Sequence, residues 1–221
     1  MTNPWLNLRS RPPYVAPDDR PLVEWFNHTA KPSARIHVEL LPEPYVGQFR
    51  APVVILALNP GFSSADRRAH ATPDLRRAVI SCLRGQRTQH PFHYLAPTAR
   101  SPGARWWRAA VRHLIDDCGL RRVTEGLLSV DYFPYHSKSF QHAYLRLPSQ
   151  PFSFALIRAA IARDALIVLA RGARLWYGAV PQLLRYRRVI RLSNVRRLYL
   201  SPATLGSSYG RVTRALVDGA A

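Results

Sequence analysis

Short apolar runs separated by amphipathic stretches set the pattern of this chain. The clearest runs cover residues 52–58, 126–133 and 165–170. Between them, apolar positions recur every three or four residues, which is the helical period. Nearly continuous apolar strands that alternate with helices are typical of a parallel sheet covered on both faces. The pattern therefore predicts an α/β fold: a three-layer αβα sandwich around a central, mostly parallel sheet of four or five strands.

The same periodicity predicts where the helices and the last strands lie. Helices are expected over residues 21–30, 73–86, 103–120, 152–164, 171–184 and 207–219. Residues 188–192 and 197–201 are the last strand candidates. Residues 1–20 contain several prolines and little periodicity, so we expect an irregular N-terminal arm. No Gly/Ser-rich linker divides the chain, and we therefore expect a single domain over residues 1–221.

The chain carries a large excess of positive charge, which bears on its binding partner. The chain has 32 basic residues against 13 acidic ones, a net charge of +19 and a pI of about 11.3. An excess of this size indicates a polyanionic partner, with nucleic acid favoured over an anionic membrane. The scarcity of acidic residues also argues against a hydrolase built on an acidic metal cluster.

Cysteine content and hydropathy exclude several other classes. Two cysteines cannot form a disulfide framework or a four-cysteine iron–sulfur cluster within one chain. No zinc-spaced Cys/His pattern and no nucleotide-binding glycine motif is present, so no metal and no cofactor are expected. The first residues lack the apolar core of a signal peptide, and no apolar run approaches the ~20 residues that span a bilayer. We therefore expect a cytoplasmic protein that does not enter membranes.

Polar side chains follow three of the candidate strands. The segments are NPGFS (residues 59–63), DYFPYH (131–136) and SPATLG (201–206). Ligands bind beyond the carboxyl ends of the strands in open α/β sheets, so these segments are the candidate site. Each also has a structural interpretation, because Asn-Pro-Gly is a turn sequence, Asp131 is able to cap a turn, and Ser-Pro commonly begins a loop.

Together these segments resemble the uracil-DNA glycosylase superfamily. LNPGFSSAD is similar to the first motif of the mismatch-specific uracil/thymine-DNA glycosylases, in which a strand ends in Asn-Pro-Gly and two serines follow. SPATLGSS resembles a degenerate form of their second motif, Asn-Pro-Ser-Gly-Leu-Ser. LLSVDYFPYHS stands where the superfamily has its base-reading strand, and ALIVLARGARLWYGAVPQL resembles its strand–Gly–helix unit. The order and spacing of the segments extend the resemblance over about residues 40 to 220.

The resemblance implies an enzyme that flips uracil, or a related modified pyrimidine, out of duplex or single-stranded DNA. It would hydrolyse the N-glycosidic bond as a monomer, without a metal. Asn59 would position the attacking water, while Pro60 and Gly61 would shape the turn, with the Gly61 N–H offered to the base. Leu205 matches the apolar wedge that replaces the flipped base. The other expected DNA contacts are Ser63, Ser64, Arg171, Ser201, Pro202 and Ser207.

The aromatic residue that would stack on the flipped base has three candidates. Phe62 follows the Asn-Pro-Gly turn directly, and Phe92 and Tyr94 belong to the segment HPFHYLAP, which we favour. Core packing is the alternative role for Phe92 and Tyr94.

Two positions depart from the superfamily pattern. The second motif lacks both its Asn and a His that could act as an electrophile on the base. His136 is the candidate replacement, and a solvated loop histidine is the alternative. Asp131 stands where an amide would read the base, and an ionised carboxylate there would repel O4 of uracil because it can only accept hydrogen bonds. Asp131 is therefore protonated, or it activates water, or the cognate base is not plain uracil.

Two other functions remain open at the level of sequence. A non-catalytic nucleic-acid-binding module would keep the basic surface and the aromatic residues without needing Asn59 or Asp131. A glycosylase acting on modified cytosine in foreign DNA would use the same site for a different base.

Overall fold

A five-stranded, mostly parallel sheet forms the centre of the computed structural model, which describes residues 2–192 and 198–219. The strands are β1 (Tyr45–Gly47), β2 (Val53–Ala57), β3 (Leu127–Asp131), β4 (Leu166–Leu169) and β5 (Val189–Arg191). Their order in the sheet is β1-β3-β2-β4-β5. Strand β1 pairs antiparallel with β3, and the other pairs are parallel. The predicted α/β class with a mostly parallel sheet is confirmed.

The helices cover both faces of the sheet. Alternate residues of β2 belong to two separate apolar clusters: Val54 and Leu56 to one, Val53 and Ile55 to the other. Because successive side chains of a strand point to opposite faces, this division gives the three layers of the sandwich. The helices are α1 (Arg20–Thr29), α2 (Ser64–His70), α3 (Pro73–Leu83), α4 (Pro102–Ala110), α5 (Arg112–Cys118), α6 (Leu120–Gly126), α7 (Gln150–Ala162), α8 (Ala173–Ala179), α9 (Pro202–Leu205) and α10 (Tyr209–Asp218). Within the described ranges, no helix has the length and apolar character that crossing a membrane requires.

The structure differs from the predicted elements where local backbone geometry interrupts a periodic pattern. The helix expected over residues 103–120 is broken at Val111, and Gly119, with φ of +84°, separates α5 from α6. The helix expected over 171–184 ends at Ala179, because Pro181 has no N–H to continue the α-helical hydrogen bonds. Residues Pro181–Leu184 form a 3₁₀ turn. Residues 198–201 do not form a strand, and residue 197 lies outside the described residues.

Several buried side chains anchor residues 2–20 to the rest of the domain. Trp5 and Tyr14 are buried, and the ring of Trp5 lies edge-on to Tyr135. The Asp19 carboxylate, which is fully buried, accepts hydrogen bonds from the Tyr135 hydroxyl at 2.7 Å and the Ser149 hydroxyl at 2.6 Å. The arm expected over residues 1–20 has no α-helix or strand among residues 2–19, and α1 begins at Arg20; its buried aromatic residues are anchored in the core.

Candidate active site

The carboxyl ends of β2 and β3 bring two of the predicted site residues to one edge of the sheet. Ala57 at the end of β2 is paired with Asp131 at the end of β3. The pairing continues beyond the strands, where the Phe133 N–H donates to the Leu58 carbonyl at 2.9 Å. Asn59 follows immediately. The parallel register therefore places Asn59 and Asp131 on neighbouring segments at the same edge.

The segment Asn59–Gly61, here called the NPG loop, is fastened to the loop that follows β3. The Ser137 N–H donates to the Pro60 carbonyl at 3.2 Å. His136 Nδ1 lies 2.7 Å from the carbonyl oxygen of Gly61 and donates to it. These bonds join segments that follow different strands, so the NPG loop has more support than a simple turn needs.

The side chain of Asn59 is fixed through its amide nitrogen. Nδ2 donates to the Ser137 Oγ at 3.0 Å and to the Pro60 carbonyl at 2.9 Å. Oδ1 accepts no hydrogen bond from any described residue, and the side chain is half-buried. The amide oxygen is thus held in one orientation and remains able to accept from a water molecule, as the water-positioning hypothesis requires.

Asp131 lies in a setting that disfavours its ionised form. It is 9% exposed, and burial raises its pKa well above the ordinary carboxyl range. The negative charge of Glu43 raises the pKa further, while the positive charge of Arg171 opposes the shift. Of the three sequence-level interpretations of Asp131, this environment favours the protonated one.

His136 is neither a solvated histidine nor a group that faces a substrate. Its side chain is buried; Nδ1 is bonded to Gly61, and Nε2 is buried 3.7 Å from the Glu43 Oε2. Both sequence-level interpretations are therefore wrong in this conformation, because no ring nitrogen is directed outward. The ring instead supports the NPG loop from the protein interior, through the Gly61 carbonyl.

A buried group of one acidic residue, three histidines and a tyrosine lies beneath the NPG loop; we call it the Glu43 cluster (Glu43, His70, His93, Tyr94 and His136). The Tyr94 hydroxyl lies 2.6 and 2.7 Å from the two carboxylate oxygens of Glu43. His93 Nε2 lies 3.5 Å from Oε1, an ion-pair distance without a hydrogen bond. Burial by itself raises the pKa of Glu43, but the neighbouring histidines lower it to about 2. Burial also lowers the pKa of His70 to about 4.

The three aromatic candidates for base stacking have different positions. Phe92 has no exposed surface and packs edge-on against Trp107 at 4.8 Å between ring centroids. Tyr94 is buried with its hydroxyl on Glu43. Core packing therefore describes both, and neither ring offers a face to a base in this structure. Phe62 is half-buried beside the NPG loop, with one face stacked on His37 at 3.4 Å.

The second predicted motif is a capped helix turn with a buried leucine. The Ser201 side chain accepts from the Thr204 N–H at the start of α9. Leu205 is only 6% exposed and belongs to the apolar cluster that contains Val212 and Leu216. A wedge must project from the surface to enter a DNA stack, so the wedge prediction is wrong for this conformation. Of the other residues in this segment, Pro202 and Ser207 are exposed.

The remaining predicted DNA contacts lie on the exposed surface near the strand ends. Ser63 caps the start of α2, and both its N–H and its hydroxyl donate to the Asp66 carboxylate, at 2.6 and 2.7 Å. Ser64 is exposed next to it. Arg171 is also exposed and follows β4, where its charge acts on Asp131.

A groove of about 1580 Å³ is lined mainly by basic residues among its charged side chains. Its lining includes two acidic residues, Asp74 and Glu125, and six arginines: Arg50, Arg68, Arg77, Arg87, Arg100 and Arg105. This arginine groove is not the strand-end site itself, since neither Asn59 nor Asp131 lines it. The two are connected through α2, which starts just after the NPG loop and contributes Arg68 to the groove wall.

No family model, curated protein or solved structure matches this chain. The glycosylase resemblance therefore rests on the motif residues and on their placement in the fold. Sequence reasoning missed Glu43, His70 and Ser137. His70 lies within a segment for which no element was predicted, and Glu43 stands in a proline-rich stretch without periodicity. Only the fold brings them to the NPG loop.

Proposed function

We propose that the protein is a DNA glycosylase that takes uracil or a related modified pyrimidine out of DNA and hydrolyses its N-glycosidic bond. The observation that carries the proposal is that β2 and β3 end side by side, which puts Asn59 and Asp131 at one edge of the sheet, with the Asn59 amide held by Ser137. A turn sequence without a chemical role would not need this orientation.

The arrangement suits hydrolysis at a glycosidic carbon. Such reactions pass through an oxocarbenium-like transition state, so a correctly placed water and a stabilised leaving base matter more than a strong nucleophile. Asn59 Oδ1 would hold the water. Gly61 is exposed, and a Cβ atom built on it would meet nothing within 4 Å, so a ligand has room to approach its backbone.

Asp131 is suited to reading the base when it is protonated. A neutral carboxyl has one donor and one acceptor, as an amide has, and so it can accept from N3–H and donate to O4 of uracil. Burial favours that neutral form. The repulsion expected of an ionised Asp131 would then be absent.

The charge distribution supports a nucleic-acid substrate. Phosphate contacts supply most of the affinity of DNA-binding proteins, and arginine is suited to them because its planar group binds phosphate through two parallel hydrogen bonds. The six arginines of the arginine groove would be available for such contacts, and the net charge of +19 would attract the DNA.

The decisive experiment is incubation with single- and double-stranded oligonucleotides that contain one uracil, followed by alkaline cleavage at abasic sites. Parallel oligonucleotides with modified cytosines test the other base class. We expect cleavage at uracil by the wild type, and loss of most cleavage by Asn59→Ala while DNA binding persists. Ser129→Ala is the matched control, because the Ser129 hydroxyl is buried in β3 and has no hydrogen-bond partner among the described residues.

A protein that binds these oligonucleotides but cleaves none of them would contradict the proposal and favour a non-catalytic nucleic-acid-binding module. Cleavage that survives Asn59→Ala at the full rate would remove Asn59 from the mechanism.

A further inference from the structure

We propose that Glu43, His70 and His136 form a binding site for a divalent transition-metal ion, with Zn²⁺ as the preferred ion. One potential ligand atom from each residue lies within 4.8 Å of the other two. All three side chains are buried. The site does not depend on glycosylase activity, and it replaces the expectation of a metal-free protein that the lack of zinc-spaced sequence pairs suggested.

Unpartnered nitrogen atoms point to a missing ligand at this place. His136 Nε2 and His70 Nδ1 are both buried without a hydrogen-bond partner among the described residues. A buried polar atom left without a partner is unfavourable, because it has lost its hydrogen bonds to water. A single cation bound between the two rings and the carboxylate would give both nitrogens a partner.

The spacing of the atoms fits metal ligands better than it fits a hydrogen bond. His136 Nε2 and Glu43 Oε2 are 3.7 Å apart, which is too far for a hydrogen bond. Zinc bonds of about 2.0–2.1 Å in tetrahedral arrangement place two ligand atoms about 3.3 Å apart. A small contraction of the site would therefore bring these two atoms to bonding distance of one ion.

Neighbouring groups orient the ligands in the way that metal sites require. Histidine ligands commonly donate their other ring N–H to a carbonyl or carboxylate, which fixes the tautomer. His136 donates Nδ1–H to the Gly61 carbonyl at 2.7 Å, so Nε2, which lies 3.7 Å from the Glu43 Oε2, is the nitrogen that would bind the metal. The Tyr94 hydroxyl holds the carboxylate, at 2.6 Å from Oε1 and 2.7 Å from Oε2.

The ligand set indicates the class of metal. Two imidazoles and one carboxylate suit zinc, with the fourth position left for water or another donor, and they also suit non-haem iron(II). A magnesium or calcium site would instead be built mainly of oxygen ligands. Through Gly61, a metal bound here would stiffen the NPG loop from below.

The test uses tag-free, full-length protein purified without chelators. We expect elemental analysis by mass spectrometry to find about one zinc ion per chain. After removal with a chelator, added Zn²⁺ should raise the unfolding temperature, since a ligand that binds only the folded state stabilises it. Co²⁺ should give the visible absorption of a tetrahedral imidazole–carboxylate complex.

Variants then assign the ligands. His70→Ala and Glu43→Gln should lose both the bound zinc and the response of the unfolding temperature. His113→Ala should keep both, because His113 is an exposed residue of α5. Tyr94→Phe should weaken zinc affinity about 10–100-fold, as expected of a group that orients a ligand.

Measurements on the wild type alone decide the question even if a variant fails to fold. A wild-type protein with no bound metal, whose unfolding temperature is unchanged by Zn²⁺, Co²⁺ and Fe²⁺, overturns the site. Iron at one ion per chain supports the site and overturns the choice of zinc. Zinc retained by His70→Ala and Glu43→Gln places the metal elsewhere and overturns the assignment.

Discussion

The amide of Asn59 is held by the hydroxyl of Ser137, with 3.0 Å between Nδ2 and Oγ, although 78 residues separate them in the chain. Ser137 is itself buried, and its N–H is bonded to the Pro60 carbonyl. A single residue of the loop after β3 therefore sets both the backbone of the NPG loop and the orientation of the side chain that would place the water.

Ser137→Ala should weaken this orientation without removing Asn59. We expect a stability loss of about 0.5–1.5 kcal/mol for the lost hydrogen bond. In excision assays kcat should fall while KM stays close to the wild-type value, because the change affects the reacting centre and not DNA binding. Ser129→Ala, which removes a buried hydroxyl without a partner, should leave both constants unchanged. A pure KM effect in Ser137→Ala would contradict the positioning role.

The environment of Asp131 predicts an unusual pH dependence. Glu43 and Arg171 are the charged groups that act on it, and burial is the largest influence on its raised pKa. If neutral Asp131 reads the base, uracil excision should fall as pH rises through that raised pKa. Asp131→Asn should keep excision and lose this pH dependence, since an amide is neutral at every pH tested. Rates measured across pH for both proteins provide the check.

The same substitution has a consequence for folding. A carboxyl whose pKa is raised in the folded state destabilises the fold as pH rises above the unfolded value, because ionisation is easier in the unfolded chain. Asp131→Asn should therefore raise the free energy of unfolding at neutral pH and have little effect in acid.

The excision assay has a contrary outcome. An excision rate that increases with pH in the wild type, and is lost in Asp131→Asn, would identify Asp131 as the base that activates water.

Alanine variants of two glycines distinguish an effect on ligand approach from an effect on backbone strain. At Gly61 an added Cβ meets no atom within 4 Å, so Gly61→Ala should change stability by less than about 0.5 kcal/mol. Excision should nevertheless drop if the base packs against the NPG loop. Gly47→Ala is the contrasting variant, because φ is +116° and the added Cβ would lie 2.2 Å from the Leu127 carbonyl oxygen.

Urea unfolding and excision assays on both glycine variants give the comparison. We expect Gly47→Ala to be destabilised by at least about 1–3 kcal/mol through backbone strain. Full activity in Gly61→Ala would mean that no substrate group approaches this glycine.

Arginines of the arginine groove should control the salt dependence of DNA binding. Arg68→Ala and Arg87→Ala each remove an exposed positive charge from its wall. If the lost side chain contacts a phosphate of duplex DNA, the slope of log affinity against log salt should become less steep by about 0.9 for each variant. Arg187→Ala, an exposed arginine that does not line the groove, should keep the wild-type slope. Equal slopes in all four proteins would place the DNA elsewhere.

The sheet and the meeting of Asn59 with Asp131 could be predicted from the sequence. Runs such as 53–58 are too apolar and too short for exposed helices, and parallel strands bring their carboxyl ends to one edge. The three residues of β1 gave no comparable signal, because so short a strand has no measurable period. Its antiparallel pairing with β3 nevertheless positions Glu43, whose N–H donates to the Pro134 carbonyl.

The rest of the site could not be predicted because it depends on side-chain packing between distant segments. Phe92 and Leu205 have residue types that suit either a core or a DNA contact, and only their burial decides between these roles. The sequence offers His136 as an electrophile or as a solvated loop histidine, but the carbonyl of Gly61 and the carboxylate of Glu43 hold its ring inside the protein. Contacts of this kind leave no trace in local periodicity.

The burial of the N-terminal segment bears on the order of folding during synthesis. Asp19 has partners 116 and 130 residues further along the chain, at Tyr135 and Ser149. In a nascent chain that ends before residue 166, β2 still lacks its neighbour β4. In one that ends before residue 135, Trp5 and Asp19 both lack their contact with Tyr135. Trp5 and Asp19 therefore dock only after the segment that contains Tyr135 has been synthesised. Until then the Trp5 side chain lacks its contact with Tyr135 and stays open to chaperones and proteases.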